Sequence, residues 1–361
     1  MLIWEPLKFN LLKEIMIVIN ARFLTQNITG VQRYAIEICK FLPQFIKNKE
    51  VVVVTPKADI INQELITKFR IIQFGKLKGN LWEQIELPFF LKKNNNPLLI
   101  NFTGIGPVMY KNKLTYIYDL SFKYYPETFS YFFQKAYNLL IPISGKNSQK
   151  VIAISNYVKK DIEHHYNFSN IEVIYAAQNE RFKNLNLQRE KIILAVSSLD
   201  PRKNFNRVIE AYSSLKTDYK LVFVGSKSKT FSDLNLDNNT KNKNIIFTGY
   251  IDDQELIKLY NKASIFIYAS LFEGFGMPPL EAQACGCPCL VSDQTSLPEV
   301  YLESVEYCDP KSVDDIKDKL KFLIEHKQRR DELVQKGFKN IKRFNWQKSS
   351  EKFGSIIELY A

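Results

Sequence analysis

Histidine and cysteine are scarce in these 361 residues, with three and five copies. Five cysteines do not make a disulfide framework. Cys285, Cys287 and Cys289 form a C-x-C-x-C run, but Gly286 and Pro288 separate them across an expected helix-to-strand turn. The only histidines are His164, His165 and His326, none of them nearby, so small buried thiols are expected rather than a metal site. No apolar stretch reaches the ~20 residues of a membrane-spanning helix. Residues 1–15 carry charges and no small-residue cleavage site, which argues against a signal peptide and reads as an N-terminal extension. No Lys/Arg block with interleaved aromatics is present, which argues against nucleic acid as a partner. No internal repeat is visible. No G-x-G-x-x-G follows the first strand, where the chain has Asn20-Ala-Arg-Phe, and Gly104-Ile-Gly106-Pro-Val-Met lacks a third glycine. A nicotinamide-dependent dehydrogenase is therefore disfavoured.

The remaining composition is that of a globular protein, 45% hydrophobic and 24% charged, and the length favours two domains. The net charge is +12, and the excess leans to the first half. Residues 1–180 carry 22 Lys and Arg against 14 Asp and Glu, the remainder 28 against 24. Such a bias favours anionic partners, either a membrane surface or phosphate-bearing substrates.

Short apolar runs at 16–19, 51–54, 98–102, 114–118, 151–154, 192–196, 221–224, 245–247, 265–268 and 288–291 read as strands. Many are continuous rather than alternating, as parallel strands covered on both faces should be. Helical periodicities lie between them. Val31, Tyr34, Ala35, Ile38 and Leu42 line one face after Gly30; Val208, Ala211 and Leu215 do so after Asn204. Leu256, Leu259 and Tyr260 follow a cap at Asp252 or Asp253. The alternation predicts an α/β protein with doubly wound parallel sheets, enough strands for two of them, and a polar linker within 178–191. A second polar stretch, 226–243, reads as a surface loop.

Four features carry chemistry. Glu273-Gly-Phe-Gly-Met-Pro-Pro-Leu-Glu281 follows a strand and opens a helix at Pro278 or Pro279. Gly274 and Gly276 let backbone N–H groups approach a phosphate beside the helix start. The carboxylates can accept hydroxyl donors, Glu281 from a ribose and Glu273 from a transferring sugar. Ala195-Val-Ser-Ser-Leu-Asp-Pro-Arg-Lys-Asn204 sets Arg202 and Lys203 on a strand-to-helix turn, where they can meet a diphosphate; solvated surface charges are the alternative. Phe247-Thr-Gly-Tyr-Ile-Asp252 ends a strand with Gly249, so that Gly249, Tyr250 and Ile251 can face a nucleobase. Asn27-Ile-Thr-Gly-Val-Gln-Arg-Tyr34 follows the first strand, with Gly30 permitting a ligand close to backbone; a structural turn is the alternative.

In this order, and with Tyr118-Asp-Leu120 and Phe344-Asn-Trp346, the motifs resemble those of the GT-B-fold glycosyltransferases of family 4, retaining nucleotide-sugar transferases, over nearly the whole chain from Met16. The resemblance implies two Rossmann-like domains facing each other across a cleft. Residues 16–183 would bind the acceptor and 190–345 the nucleotide sugar, and a final helix within 346–361 would cross back to the first domain. Arg202 and Lys203 would hold the donor diphosphate. Glu273 with the backbone of Gly274, Phe275, Gly276 and Met277 would grip sugar and phosphate. Glu281 would bind the ribose, and Gly30 would lie near the diphosphate. No metal or other cofactor is implied. Two positions depart from the family pattern. Tyr118 stands where a histidine is frequent, and a phenol carries no positive charge at neutral pH. Ser198 stands where a basic residue is frequent in the donor site.

Bond breaking at the donor puts negative charge on the departing phosphate, which preorganised cations stabilise. Retention by double displacement would need a carboxylate nucleophile. Asp119 is the candidate, with a loop-positioning role as its alternative. A front-face route, in which the leaving phosphate takes the acceptor proton, needs no such base. The acceptor expected is a glycan or a polyprenyl-diphosphate-linked oligosaccharide, in bacterial surface polysaccharide (O-antigen or capsule) synthesis on the cytoplasmic side. Aromatics between Tyr124 and Phe133 read either as a docking edge for an anionic membrane or as helix core. The rival readings are another nucleotide-sugar enzyme such as an epimerase, and a non-catalytic nucleotide-sugar-binding protein.

Overall fold

The computed structural model describes residues 16–46, 49–198, 200–225 and 243–361. The expected extension at 1–15 and most of the expected loop at 226–243 lie outside the described residues. Two parallel sheets organise the chain. The first contains β1 (Met16–Asn20), β2 (Glu50–Thr55), β3 (Arg70–Gln73), β4 (Leu98–Asn101), β5 (Lys113–Ile117), β6 (Lys150–Ala153) and β7 (Ile171–Val173), in the order β3-β2-β1-β4-β5-β6-β7. The second contains β8 (Glu190–Val196), β9 (Lys220–Val224), β10 (Ile245–Gly249), β11 (Ala263–Tyr268), β12 (Cys289–Ser292) and β13 (Glu306–Cys308), in the order β10-β9-β8-β11-β12-β13. All ten predicted runs are strands. Those unpredicted, β3, β7 and β13, are short edge strands with few apolar residues, because an edge needs less burial.

The helices of the first half are α1 (Gly30–Phe41), α2 (Gly79–Leu81), α3 (Leu87–Lys93), α4 (Ser121–Tyr124), α5 (Tyr131–Lys146) and α6 (Asn156–Tyr166). A π-helical turn, Trp82–Glu86, joins α2 to α3. The second half adds α7 (Phe205–Ser213), α8 (Asp253–Lys262), α9 (Pro278–Ala284), α10 (Leu297–Tyr301), α11 (Val313–Glu325), α12 (Lys327–Ile341) and α13 (Trp346–Tyr360). Tyr34, Ala35 and Ile38 of α1 are buried on one face, as their spacing predicts. Asp252 caps α8, accepting from Glu255 N at 2.8 Å. Each sheet reverses its winding at its centre, between β1 and β4 and between β8 and β11. In such sheets the loops leaving adjacent strands part at that point and leave a crevice at the carboxyl ends.

The polar connection after β7 is tied to the second sheet. Arg189 donates to the carbonyls of Tyr260, Ala263 and Cys285, and Leu185 N donates to Asn261. The last helix returns to the first sheet. Ser350 Oγ donates to Ile38 O of α1, Trp346 meets Tyr34 edge-on, and the fully buried Phe353 packs against Phe102 and Tyr116. Phe353→Ala should therefore cost about 3–5 kcal/mol of stability. Urea unfolding is the check, and a loss below about 1 kcal/mol would show that this docking contributes little.

Candidate active site

The two crevices face each other, and their loops touch. A Cβ on Gly274 would lie 2.3 Å from Tyr118 O and 3.2 Å from Asp119 Cβ, so only glycine permits this approach. Ser155 Oγ donates to Gly274 O at 2.7 Å. A Cβ on Gly30 would lie 3.4 Å from the Met277 methyl. The turn after β1 and the loop after β11 therefore meet across the cleft.

The turn bearing Arg202 and Lys203 is fixed by its own sequence. Asp200 accepts from Arg202 N, Pro201 begins a 3-10 turn, and Asn204 takes a left-handed conformation with φ 62°. Asn204, buried, donates to the carbonyls of Ala269 and Pro310, and Leu271 N donates to Arg202 O. Lys203 Nζ thereby reaches Glu273 Oε1 at 2.6 Å, with both side chains largely buried. It also lies 3.4 Å from the Tyr268 hydroxyl. Burial, and then the facing Glu273, raise that phenol well above its ordinary range. Arg202 is clamped by Asp200 through Nε at 3.0 Å and Nη2 at 2.6 Å. Burial works against an ionised Asp200, but Arg202 overrides it and holds the carboxyl below the usual range.

The loop after β11 holds Glu273 from behind. Ser296 Oγ donates to Glu273 O, and Glu273 N approaches Thr295 Oγ1 at 3.2 Å. Gly276 has φ +79°, and a Cβ there would collide with Leu297, so the turn into α9 requires glycine. The Phe275 ring packs against Tyr175 and Phe344 and serves the core. Helix α9 begins at Pro278 and buries Glu281, which accepts from the Tyr260 hydroxyl at 3.1 Å. Burial pushes the Glu281 carboxyl up to about 7, against the pull of Arg33.

Gly249 ends β10 with open space where a side chain would be; Tyr250 is exposed and Ile251 half-buried. Ser198 is exposed. Asp119 Oδ1 accepts from Ser121 N at 2.8 Å, so it positions its loop while lining the cleft. The Tyr118 hydroxyl is buried and finds no partner among the described residues. Cys285, Cys287 and Cys289 are buried thiols that burial raises above their ordinary range. Among the described residues, no group of three or more His, Cys, Asp or Glu is placed to hold a metal ion.

Three contributors to this seam were not read as such from sequence. Arg33 lies in the quoted α1 motif, one turn from Gly30. It contacts Asp253 at 3.4 Å and faces Glu281. Burial works against its charge, and Glu281 and Asp253 outweigh burial. Arg181 reaches the same Asp253 at 2.7 Å. Glu299 of α10 accepts from Asn156 N and Tyr157 N, both at 2.8 Å, and so caps α6 from the other half of the chain.

Two facing doubly wound sheets, with acids and cations meeting at their carboxyl ends, define a GT-B architecture. The chain belongs to the family 4 glycosyltransferases: residues 28–177 match the family model described as Glycosyltransferase Family 4, and residues 176–340 the one described as Glycosyl transferases group 1. It is an enzyme of that class. Among curated relatives it is 26% identical over 310 residues to the O-antigen chain mannosyltransferase RfbU of Salmonella typhimurium, covering 81% of this chain and 86% of that one. It is 28% identical over 256 residues to an N-acetylgalactosaminyltransferase of Campylobacter jejuni named for a diphospho-undecaprenol-linked acceptor, covering 67% and 66%. Several other mannosyltransferase relatives are matched over less than half of their length. Anabaena HepE, solved with UDP and glucose, shares the fold with a TM-score of 0.77, at 14% identity over 96% of this chain and all of that one.

The raised Glu281 carboxyl has a measurable consequence. Below its ordinary 4.5 it is protonated both folded and unfolded; between 4.5 and about 7 only the folded chain holds the proton. Its contribution is fully present at the acid end and is lost as pH rises through about 7, up to about 3 kcal/mol. Thermal unfolding of the wild type and of Glu281→Gln from pH 5 to 8 should differ by this slope. Parallel profiles would contradict the placement.

Proposed function

We propose that the enzyme transfers a hexosyl group, with retention, from a nucleoside-diphosphate sugar to a lipid-linked glycan in surface polysaccharide assembly. The observation that carries the donor half is the Lys203–Glu273 pair beside Gly274–Gly276, with Gly30 opposite. An arriving diphosphate would take Lys203, and a sugar hydroxyl would take the Glu273 carboxylate. Lys203 would then keep a counter-charge in the diphosphate, and the Glu273 carboxylate would keep a hydrogen-bond donor in place of its cation. Glu281 would accept from the ribose, and Gly249 to Ile251 would border the base. The names of the relatives support mannose or another hexose and an O-antigen-like acceptor.

As the sugar–phosphate bond breaks, negative charge grows on the departing phosphate. Lys203, held in place before reaction, stabilises that charge more than the ground state. The occupied hydrogen bond of Asp119 to Ser121 N favours its positioning role. The front-face route then has the leaving phosphate accept the acceptor proton. Cationic side chains supply the charge stabilisation, and no metal is invoked. Incubation with a nucleotide sugar and a polyprenyl-diphosphate glycan should release nucleoside diphosphate. Lys203→Ala should lower kcat/KM by about 100-fold or more. Full turnover in that variant would sink the donor assignment.

Among the described residues no helix is long and apolar enough to cross a membrane. A peripheral contact is proposed instead. Leu81, Ile85 and Phe89 recur at helical spacing and are exposed, as are Met109, Tyr131, Phe132 and Leu139. Exposed Lys78, Lys92, Lys135 and Lys146 accompany them. Gln84 and Asn147 both bond the Val108 backbone, which brings these two helical segments to one edge. Lysines beside apolar side chains suit an anionic bilayer face. Phe132→Ser with Leu139→Ser should weaken co-sedimentation with phosphatidylglycerol vesicles about tenfold. Sedimentation independent of anionic lipid would overturn the proposal.

A further inference from the structure

A cavity of about 330 Å³ opens at the β1/β4 switch point, beside the loop that carries Asp119. Arg22, one residue beyond Ala21 at the end of β1, and Arg202 from the second half both line it. Neither guanidinium is free to swing. Arg22 Nη1 is fixed between Asn80 Oδ1 and Glu83 Oε2, the latter at 3.1 Å. Glu83 is 1% exposed and also accepts from Asn20 Nδ2 at 2.7 Å. It reaches this position because the π-helical turn at Trp82–Glu86 directs it inward; such turns cluster at functional sites.

Each arginine keeps donors in reserve. Arg22 Nε is buried with no acceptor among the described residues, and its Nη2 bonds none of them. Asp200 occupies Nε and Nη2 of Arg202 and leaves Nη1 without a described partner. Arg202 also stacks over Phe129, at 5.2 Å from the ring centre. From there Phe129, Phe133 and Tyr137 form a stacked ladder along the cavity wall, with centroids 5.0 and 3.8 Å apart.

The charges decide what fits. Glu83 neutralises Arg22 and Asp200 neutralises Arg202, so the cavity offers N–H donors without net positive charge. Asp119 adds an acceptor and a negative charge. An acidic ligand would meet the unbalanced Asp119 and, with donor bound, its diphosphate. A polyhydroxylated ring with one apolar face meets donors, an acceptor and an aromatic wall, the mix of a selective pocket. We infer that this cavity holds the terminal sugar of the acceptor, that Arg202 faces this sugar rather than the donor diphosphate expected from the sequence, and that the carboxylate-locked Arg22 and Arg202 select a neutral pyranose over an acidic one. The assignment rests on the transferase reading. Arg22 touches the sugar; Glu83 acts through Arg22 as a positioning residue.

Saturation-transfer NMR on the full chain, with nucleoside diphosphate present, tests this using methyl α-mannopyranoside, methyl α-glucopyranoside and the methyl glucuronide as probes. A neutral glycoside should give at least about fivefold stronger transfer than the uronide. Arg22→Ala should abolish it. Arg22→Lys keeps a cation beside Glu83 but not the planar fork, so it should fold and still lose most of the signal. Glu83→Gln should leave Arg22 uncompensated and shift preference toward the uronide, which a merely structural Glu83 would not do. Equal or stronger uronide binding by the wild type would overturn the neutral preference. Unchanged transfer in both Arg22 variants, or none from the wild type, would overturn the subsite. A wild type that binds nucleotide but no glycoside refutes only this inference. One that binds neither refutes the transferase site as well.

Discussion

The contact between Gly274 and the Tyr118 carbonyl sets the distance between the two halves of the chain. No side chain fits there, so the loop ending β5 and the loop ending β11 meet backbone to backbone. Everything chemical is arranged around that contact. Glu273 and Asp119 are the neighbours of the two touching residues, one from each sheet. Ser155 and Glu299 bond across the same seam, and Arg33 and Arg181 converge on Asp253 a short way off. A larger residue at 274 would separate the sheets and pull the acid of one from the loop of the other.

The second principle of the site is that its cations are all engaged. Lys203 has Glu273, Arg202 has Asp200, Arg22 has Glu83 and Arg33 has Asp253. Partly buried charges need such partners, and breaking a pair without replacement is costly. Two kinds of pair result. Lys203 and Glu273 meet through single contacts that a diphosphate and a sugar can replace one for one. Arg202 and Asp200 are joined by two parallel bonds from residues two apart on one turn, which ligand binding is less able to open. The former pair suits exchange and the latter suits rigid presentation of the remaining N–H group.

The central strands were readable because parallel strands covered on both faces must be continuously apolar; Val51 to Val54 is the clearest case. The edges were not, since Arg70-Ile-Ile-Gln and Ile171-Glu-Val satisfy an edge without looking like strands. The motifs around Glu273, Lys203 and Gly30 declared themselves through glycine, proline and charge at strand ends. What each side chain pairs with was less visible. The Asp200–Arg202 clamp is local, and the Asp-Pro-Arg spacing holds its signal. The Arg22–Glu83 pair joins distant segments through a π-helical turn that no sequence period announces. Glu299 reads as an ordinary helix residue until the other half of the chain places the start of α6 against it.

Thermal unfolding with GDP, UDP or dTDP present at millimolar concentration tests the donor site most directly. One of the three should stabilise the enzyme selectively. At ~100 times its dissociation constant it would add about 2.7 kcal/mol, raising the midpoint by several degrees. No shift with any of them would contradict a donor site formed by Lys203, Glu273 and Glu281.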